Sequence, residues 1–203
     1  MASETQINQY TPILKDGVNY NTLVKSPSET TTSLQVVCFF DIDLNEHYEG
    51  GTYAVNEHFK GAIHDIRKSG IFKGRALETL LIIPALKQIP AERLLLIGLG
   101  NPAVLDLGLM EMAGYTAVME AIKAGVSDLC FAPSLKDAGI MMSFEKTAIS
   151  QTLANGMHRA LNTTNMLIQK YMHGPVVLKE INLLAGQAQA DNSYRGLQSA
   201  FEL

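Results

Sequence analysis

Charge is scarce in this sequence. Asp, Glu, Lys and Arg make up 18% of its 203 residues and sum to a net charge of -4. A chain with that balance lacks the basic excess that nonspecific phosphate binding requires, so nucleic acid is an unlikely partner class. Lys60, Arg67, Lys68, Lys73 and Arg75 do lie close together, but solvated helix and loop charges explain them more cheaply than a ligand does. Cysteine is nearly absent. Cys38 and Cys130 each sit in an apolar run, with no paired framework and no zinc spacing. They are expected as buried, reduced thiols that pack like small hydrophobes. No apolar run approaches the ~18 residues of a membrane span, and the polar start Met1-Ala2-Ser3-Glu4-Thr5-Gln6 has no signal core. A cytoplasmic protein is the expectation. The sequence also has no Gly-x-Ser-x-Gly elbow and no His-Glu-x-x-His arrangement, and neither cysteine has an obvious base partner nearby.

What the chain does have is apolar content, 47% of its residues, enough for a substantial core in one domain. Residues 1–18 are polar and form either a loose arm or an edge strand. Asn19 to Lys25 reads as a short strand, and Ser26 to Thr32 as an exposed loop. Leu34 to Phe40 is a nearly continuous apolar run, the pattern of a strand covered on both faces. A helix follows Gly50-Gly51 with Thr52 as N-cap, and Gly70 ends it. Strands over Thr79 to Ile83 and Arg93 to Leu99 flank a loop with Pro84 and Pro90. A helix over Leu105 to Ala124 carries a stripe of small residues (Ala113, Gly114, Ala117, Ala121) and is capped by Gly125. Asp128 to Ala132 is another strand. The longest helix runs from Phe144 to Met172, with Ser143 as N-cap, and buries Leu153, Met157, Leu161, Leu167 and Tyr171 among others. Gly174-Pro175 stops it; a strand over Lys179 to Leu184 and a helix over Asn192 to Glu202 close the chain. Strands alternating with helices imply an α/β domain whose mostly parallel sheet is covered on both faces.

Three groups of residues invite a chemical reading. Gly98-Leu99-Gly100-Asn101-Pro102-Ala103 fits the dinucleotide pattern Gly-x-Gly-x-x-Gly/Ala between a strand and a helix. Exposed amides at a helix start would there hold a pyrophosphate. Pro102 removes one such amide, and the next strand offers no ribose-binding acid at its tip, so a tight strand-to-helix turn competes with that reading. Asp41 and Asp43 close a buried strand at its carboxyl end, where open sheets place ligands. They serve equally well as turn residues. His47, His58 and His64 with Glu46, Glu57 and Asp65 form a pool of metal-ligand types without metal-ligand spacing. No metal and no cofactor is expected.

Several strings, taken in order, resemble a known family. Phe72-Lys73-Gly74-Arg75-Ala76-Leu77-Glu78-Thr79 is similar to the string Phe-Lys-Gly-Lys-x-Gly-Glu-Thr that precedes a strand there. Arg93-Leu94-Leu95-Leu96-Ile97-Gly98-Leu99-Gly100 is similar to the strand that follows. The stretch from Thr152-Leu153-Ala154-Asn155-Gly156 to Tyr171 resembles its long helix. Together these resemble the amino-terminal domain of the leucyl aminopeptidases, hexameric two-metal peptidases, over residues 19–203. The resemblance implies a three-layer α/β/α macro-like fold with a mixed, mostly parallel sheet. In that family the metals and catalytic residues belong to the carboxyl-terminal domain, around an Asn-Thr-Asp-Ala-Glu-Gly-Arg string that does not occur here. No catalytic or metal residue therefore carries over.

The expectation is a single, non-catalytic, stand-alone domain acting by self-association or by binding a partner, a separate peptidase subunit included. The alternative is a binder of a nucleotide or an ADP-ribose-like ligand in the macro-like crevice, with Asp41, Asp43, Gly98, Gly100 and Asn101 as contacts. A peptidase label by homology alone is the third reading, for a sequence without the means. The chain ends at Leu203 just past the closing helix, which suggests a unit bounded at a domain edge.

Overall fold

A computed structural model describes residues 10–42, 51–85, 88–135, 144–171 and 176–202. Among the described residues seven strands form one sheet. In chain order they are β1 (Ile13–Lys15), β2 (Val18–Leu23), β3 (Gln35–Phe39), β4 (Thr79–Ile82), β5 (Leu94–Gly98), β6 (Asp128–Ala132) and β7 (Glu180–Leu184). Their order across the sheet is β1-β2-β7-β6-β3-β5-β4. The five inner strands are parallel to their neighbours, while β1 and β4, at the two edges, run antiparallel. The strands β3 and β5 are buried along their whole length, as their unbroken apolar sequences require in the middle of a sheet covered on both faces.

Among the described residues five α-helices complete the layers: α1 (Gly51–His58), α2 (Ala62–Lys68), α3 (Leu107–Ala124), α4 (Lys146–Tyr171) and α5 (Ala190–Ala200). Strand alternation sends successive side chains into two cores. Val36, Cys38, Leu95, Ile97, Phe131 and Ile181 join the larger core with α3, α4 and α5. Val37, Phe39, Leu94, Leu96, Cys130 and Leu184 join the smaller one with Val55 and Phe59 at α1 and Ile63 of α2. The fold is therefore helices, sheet, helices. Both cysteines are buried and outside any disulfide, and burial pushes the Cys130 thiol up to about 11. A polar row interrupts the smaller core: Asn21, Asn182, Cys130 and Gln35 stand opposite one another across four strands. The Asn21 amide donates to the Asn182 side chain at 2.8 Å, and the Gln35 amide donates to the Cys130 carbonyl at 3.1 Å.

Of the two expectations for residues 1–18, a loose arm or an edge strand, the described part from Tyr10 includes an edge strand, β1. The structure differs from the sequence expectation at three places. The helix expected between an N-cap at Thr52 and Gly70 divides in two, because Lys60 (φ 54) and Gly61 (φ 86) adopt left-handed backbone that no right-handed helix contains. The Asn56 side chain bridges the break, accepting from the His64 amide at 3.0 Å, and Thr52 is buried inside α1 instead of capping it. The helix expected from Leu105 starts at Leu107, with the Asp106 carboxylate accepting from the Leu109 amide; a separate 3-10 turn, Pro102–Val104, precedes it. Finally, Leu167 and Tyr171 of α4, expected in the core, are 42% and 69% exposed. Ser143, Gly174 and Pro175 lie outside the described residues.

Candidate functional site

The carboxyl ends of the parallel strands carry a cleft of about 620 Å³. Its walls are Val24 to Pro27 and Glu29 after β2, Ala185 and Gly186 after β7, and Gly51 at the start of α1. The pairing of the two strands continues to the cleft, since the Ala185 amide donates to the Leu23 carbonyl at 2.9 Å beyond the last paired residues. The polar loop is tied internally. The Thr30 hydroxyl donates to the Ser26 carbonyl at 2.7 Å, and the Ser26 and Ser28 hydroxyls are 2.8 Å apart. Lys25 and Glu29 give the rim charges of both signs. The segment Ser26 to Thr32, expected as an exposed loop, is largely buried, with Pro27, Ser28, Thr30 and Thr32 inside, because the parallel pairing of β2 with β7, distant in sequence, makes it a wall.

Further across the sheet, at the ends of β3 and β5 and separated from β7 by β6, the expected nucleotide turn has a different use. Gly98 and Gly100 sit against the segment 72–78. A Cβ at Gly98 would collide with the Arg75 carbonyl, and at Gly100 it would meet Ala76 at 3.2 Å. The Gly100 amide donates to the Gly74 carbonyl at 2.8 Å, and the Asp41 amide to the Gly100 carbonyl at 2.9 Å. Asn101 is exposed, and its side chain accepts from the Ala103 amide at 2.9 Å, closing the 3-10 turn on itself. Asp41, Gly98, Gly100 and Asn101 are thus brought together at the ends of β3 and β5, but none of them lines the cleft. Asp43 lies outside the described residues, as do Glu46 and His47.

The segment facing those glycines encloses an anion of its own. The Glu78 carboxylate accepts from the amides of Lys73, Gly74 and Arg75 at 2.9, 2.9 and 3.0 Å. Burial pushes this carboxyl up, and the three amides outweigh burial and hold it below the ordinary range. Gly74 makes the concavity possible, with φ 89 and a Cβ position only 2.7 Å from the Phe40 carbonyl oxygen. Arg67 is buried beneath, donating to the Phe40 carbonyl at 2.6 Å and lying over the Phe39 ring. It is therefore not part of a basic surface. At the opposite end of the sheet, the Asp128 carboxylate receives the Thr32 hydroxyl at 2.5 Å and the Ser33 hydroxyl at 2.6 Å. Burial raises its pKa and these bonds lower it further than burial raises it. No group of three or more His, Cys, Asp or Glu that could hold a metal occurs among the described residues.

The family model for the cytosol aminopeptidase family, N-terminal domain, matches residues 36–160. The chain belongs to this family. That match runs from β3 into α4 and so includes the Glu78 turn and the glycines that pack on it. A tomato leucine aminopeptidase mutant superposes with a TM-score of 0.67 at 14% identity, over 94% of this chain and 38% of that one. The chain thus spans well under half the length of that enzyme. A mutant macrodomain from Oceanobacillus iheyensis, with ADPR, superposes with a TM-score of 0.60 at 12% identity, over 95% of this chain and 99% of that one. The bottromycin maturation enzyme BotP, in complex with Mn, gives 0.53 at 14% identity over 84% of this chain and 30% of BotP. A search of curated proteins gives no match. At these identities the structural likenesses establish the fold, and the macro-like architecture expected from the sequence is the one observed. No helix among the described residues is long and apolar enough to cross a membrane.

Proposed function

We propose that this amino-terminal-type domain works in the cytoplasm as a non-catalytic binding unit, by self-association or by contact with a separate peptidase subunit. The observation that carries this reading is the grouping of exposed large apolar side chains on two elements. Met166, Leu167 and Tyr171 are 62%, 42% and 69% exposed in the last turns of α4, and Leu81 and Ile83 are exposed at the β4 edge. Large apolar side chains clustered on one element mark association surfaces more often than scattered ones do. The groups with chemical potential are committed elsewhere: Glu78 and Asp128 to internal hydrogen bonds, Arg67 to carbonyls, Gly98 and Gly100 to packing. Light scattering of the pure chain over a range of concentrations, alone and with a separately expressed catalytic domain of the family, tests this. Association in either sample supports the reading, and a monomer that ignores the catalytic domain overturns it.

The cleft favours a second reading, a small-molecule binder. It lies where open parallel sheets take their ligands, beside a helix start, and its size suits a nucleotide-like molecule. Calorimetry with ADP-ribose and with nucleotides decides it. Saturable heat, reduced by Gly51→Val, supports binding there; no heat from the folded protein at millimolar ligand removes it.

A further inference from the structure

We propose that the β4 edge of the sheet is a homodimer interface, in which β4 of one copy pairs antiparallel with β4 of a second. This rests on the reading of the chain as an associating domain, and it names the surface and the partner.

Among the described residues β4 has one neighbouring strand, β5. The Gly98 amide donates to the Glu78 carbonyl at 2.8 Å. Antiparallel alternation then turns the main-chain groups of Leu80 and Ile82 toward β5, and those of Thr79, Leu81 and Ile83 outward. An outward row of unpaired N–H and C=O groups selects an extended strand as its occupant. The other edge of the sheet is blunted: β1 has three residues and ends in Lys15-Asp16. By contrast, Thr79 to Ile83 carries no charge and no proline. Leu81 is 46% exposed and Ile83 69%.

A second copy fits this edge by symmetry. A two-fold axis normal to the sheet and passing beside Leu81 sets that residue opposite the partner's Leu81, and Thr79 opposite the partner's Ile83. Each such pair is one whose groups point outward, so the junction forms about six main-chain hydrogen bonds. In this register Leu81 and Ile83 stay on the face of Leu95, which Leu81 already opposes across β4 and β5. A slip of one residue would put them on opposite faces and lose the apolar contact. The strand is short, so the contact sits at the low end of interface sizes, with a Kd on the order of 10–100 μM.

Sedimentation velocity of the whole chain at rising concentration tests this, with three variants. Wild type is expected to pass from monomer to dimer. Leu81→Lys sets two ammonium groups face to face on the axis and is expected to weaken the dimer at least about tenfold. Leu81→Pro removes an outward N–H while leaving the β4–β5 ladder intact, so it is expected to be monomeric with a Tm close to wild type. Leu81→Cys is expected to cross-link to a second copy under mild oxidant, against a wild type whose two thiols are buried. A strictly monomeric wild type, or a dimer that survives both Leu81→Lys and Leu81→Pro and does not cross-link, overturns the proposal. If the monomer still binds the family's catalytic domain, the dimer fails while the associating function stands; loss of both removes both.

Discussion

Leu77 holds left-handed backbone, φ 60, at the turn into β4, with its amide bonded to the Gly98 carbonyl at 2.9 Å. A residue with a Cβ pays about 1–2 kcal/mol for that conformation, and glycine returns part of the gain as chain entropy. Leu77→Gly is therefore expected to raise Tm by about 2 °C, and Leu77→Val to lower it, read by differential scanning calorimetry. A lower Tm for the glycine variant would show that packing of the half-buried leucine dominates. Glu78 next to it gives a pH prediction. Its carboxyl and that of Asp128 are both held below the usual range, so each contributes stability that is present above the ordinary carboxylate pKa and lost as pH falls through the lower folded value. Burial likewise holds His158 below its usual range, which works in the same direction at higher pH. Tm should fall as pH drops from about 5 to about 3, and Glu78→Gln and Asp128→Asn should each flatten that slope. Gly98 and Gly100 were legible in sequence as a tight turn. What they pack against was not, because the segment 72–78 lies about twenty residues earlier and only the fold brings it there.

Helices meet at glycines in this molecule. A Cβ at Gly156 of α4 would strike the Glu111 carbonyl of α3, and one at Gly114 of α3 would strike the Leu153 carbonyl of α4. The small-residue stripe of α3 therefore serves two neighbours: Ala113, Ala117 and Ala121 lie in the larger core, and Gly114 admits α4. Gly156→Ala is expected to destabilise by about 2–3 kcal/mol, seen as a lower urea midpoint, despite the better helix propensity of alanine. An exposed glycine would give the opposite sign. The sequence pattern placed β2 to β7 and α3, α4 and α5, and it failed where local rules compete with long-range cover. Lys60-Gly61 breaks a continuous apolar face that reads as one helix. The apolar face of α4 continues to Tyr171, but nothing described covers its last turns. Sequence periodicity reports which residues could be buried, not where the neighbouring element ends.

At the scale of the whole molecule, alternation of strands and helices was enough for a parallel α/β sheet. The placement of β7 between β2 and β6 was not readable, because its partners are more than a hundred and fifty and about fifty residues away in the chain. That placement makes the cleft and lines up the Asn21–Asn182–Cys130–Gln35 row. The site residues proposed from sequence, Asp41, Gly98, Gly100 and Asn101, gather at one end of two strands, and the cleft opens at the ends of two others. The central claim is that this domain acts through its surfaces and not through hydrolysis. Release of p-nitroaniline from leucine p-nitroanilide by the pure, folded chain, with and without added manganese or zinc, tests it most directly. The account predicts a rate indistinguishable from the metal-only blank at every protein concentration. A metal-dependent rate that rises in proportion to the protein would contradict it.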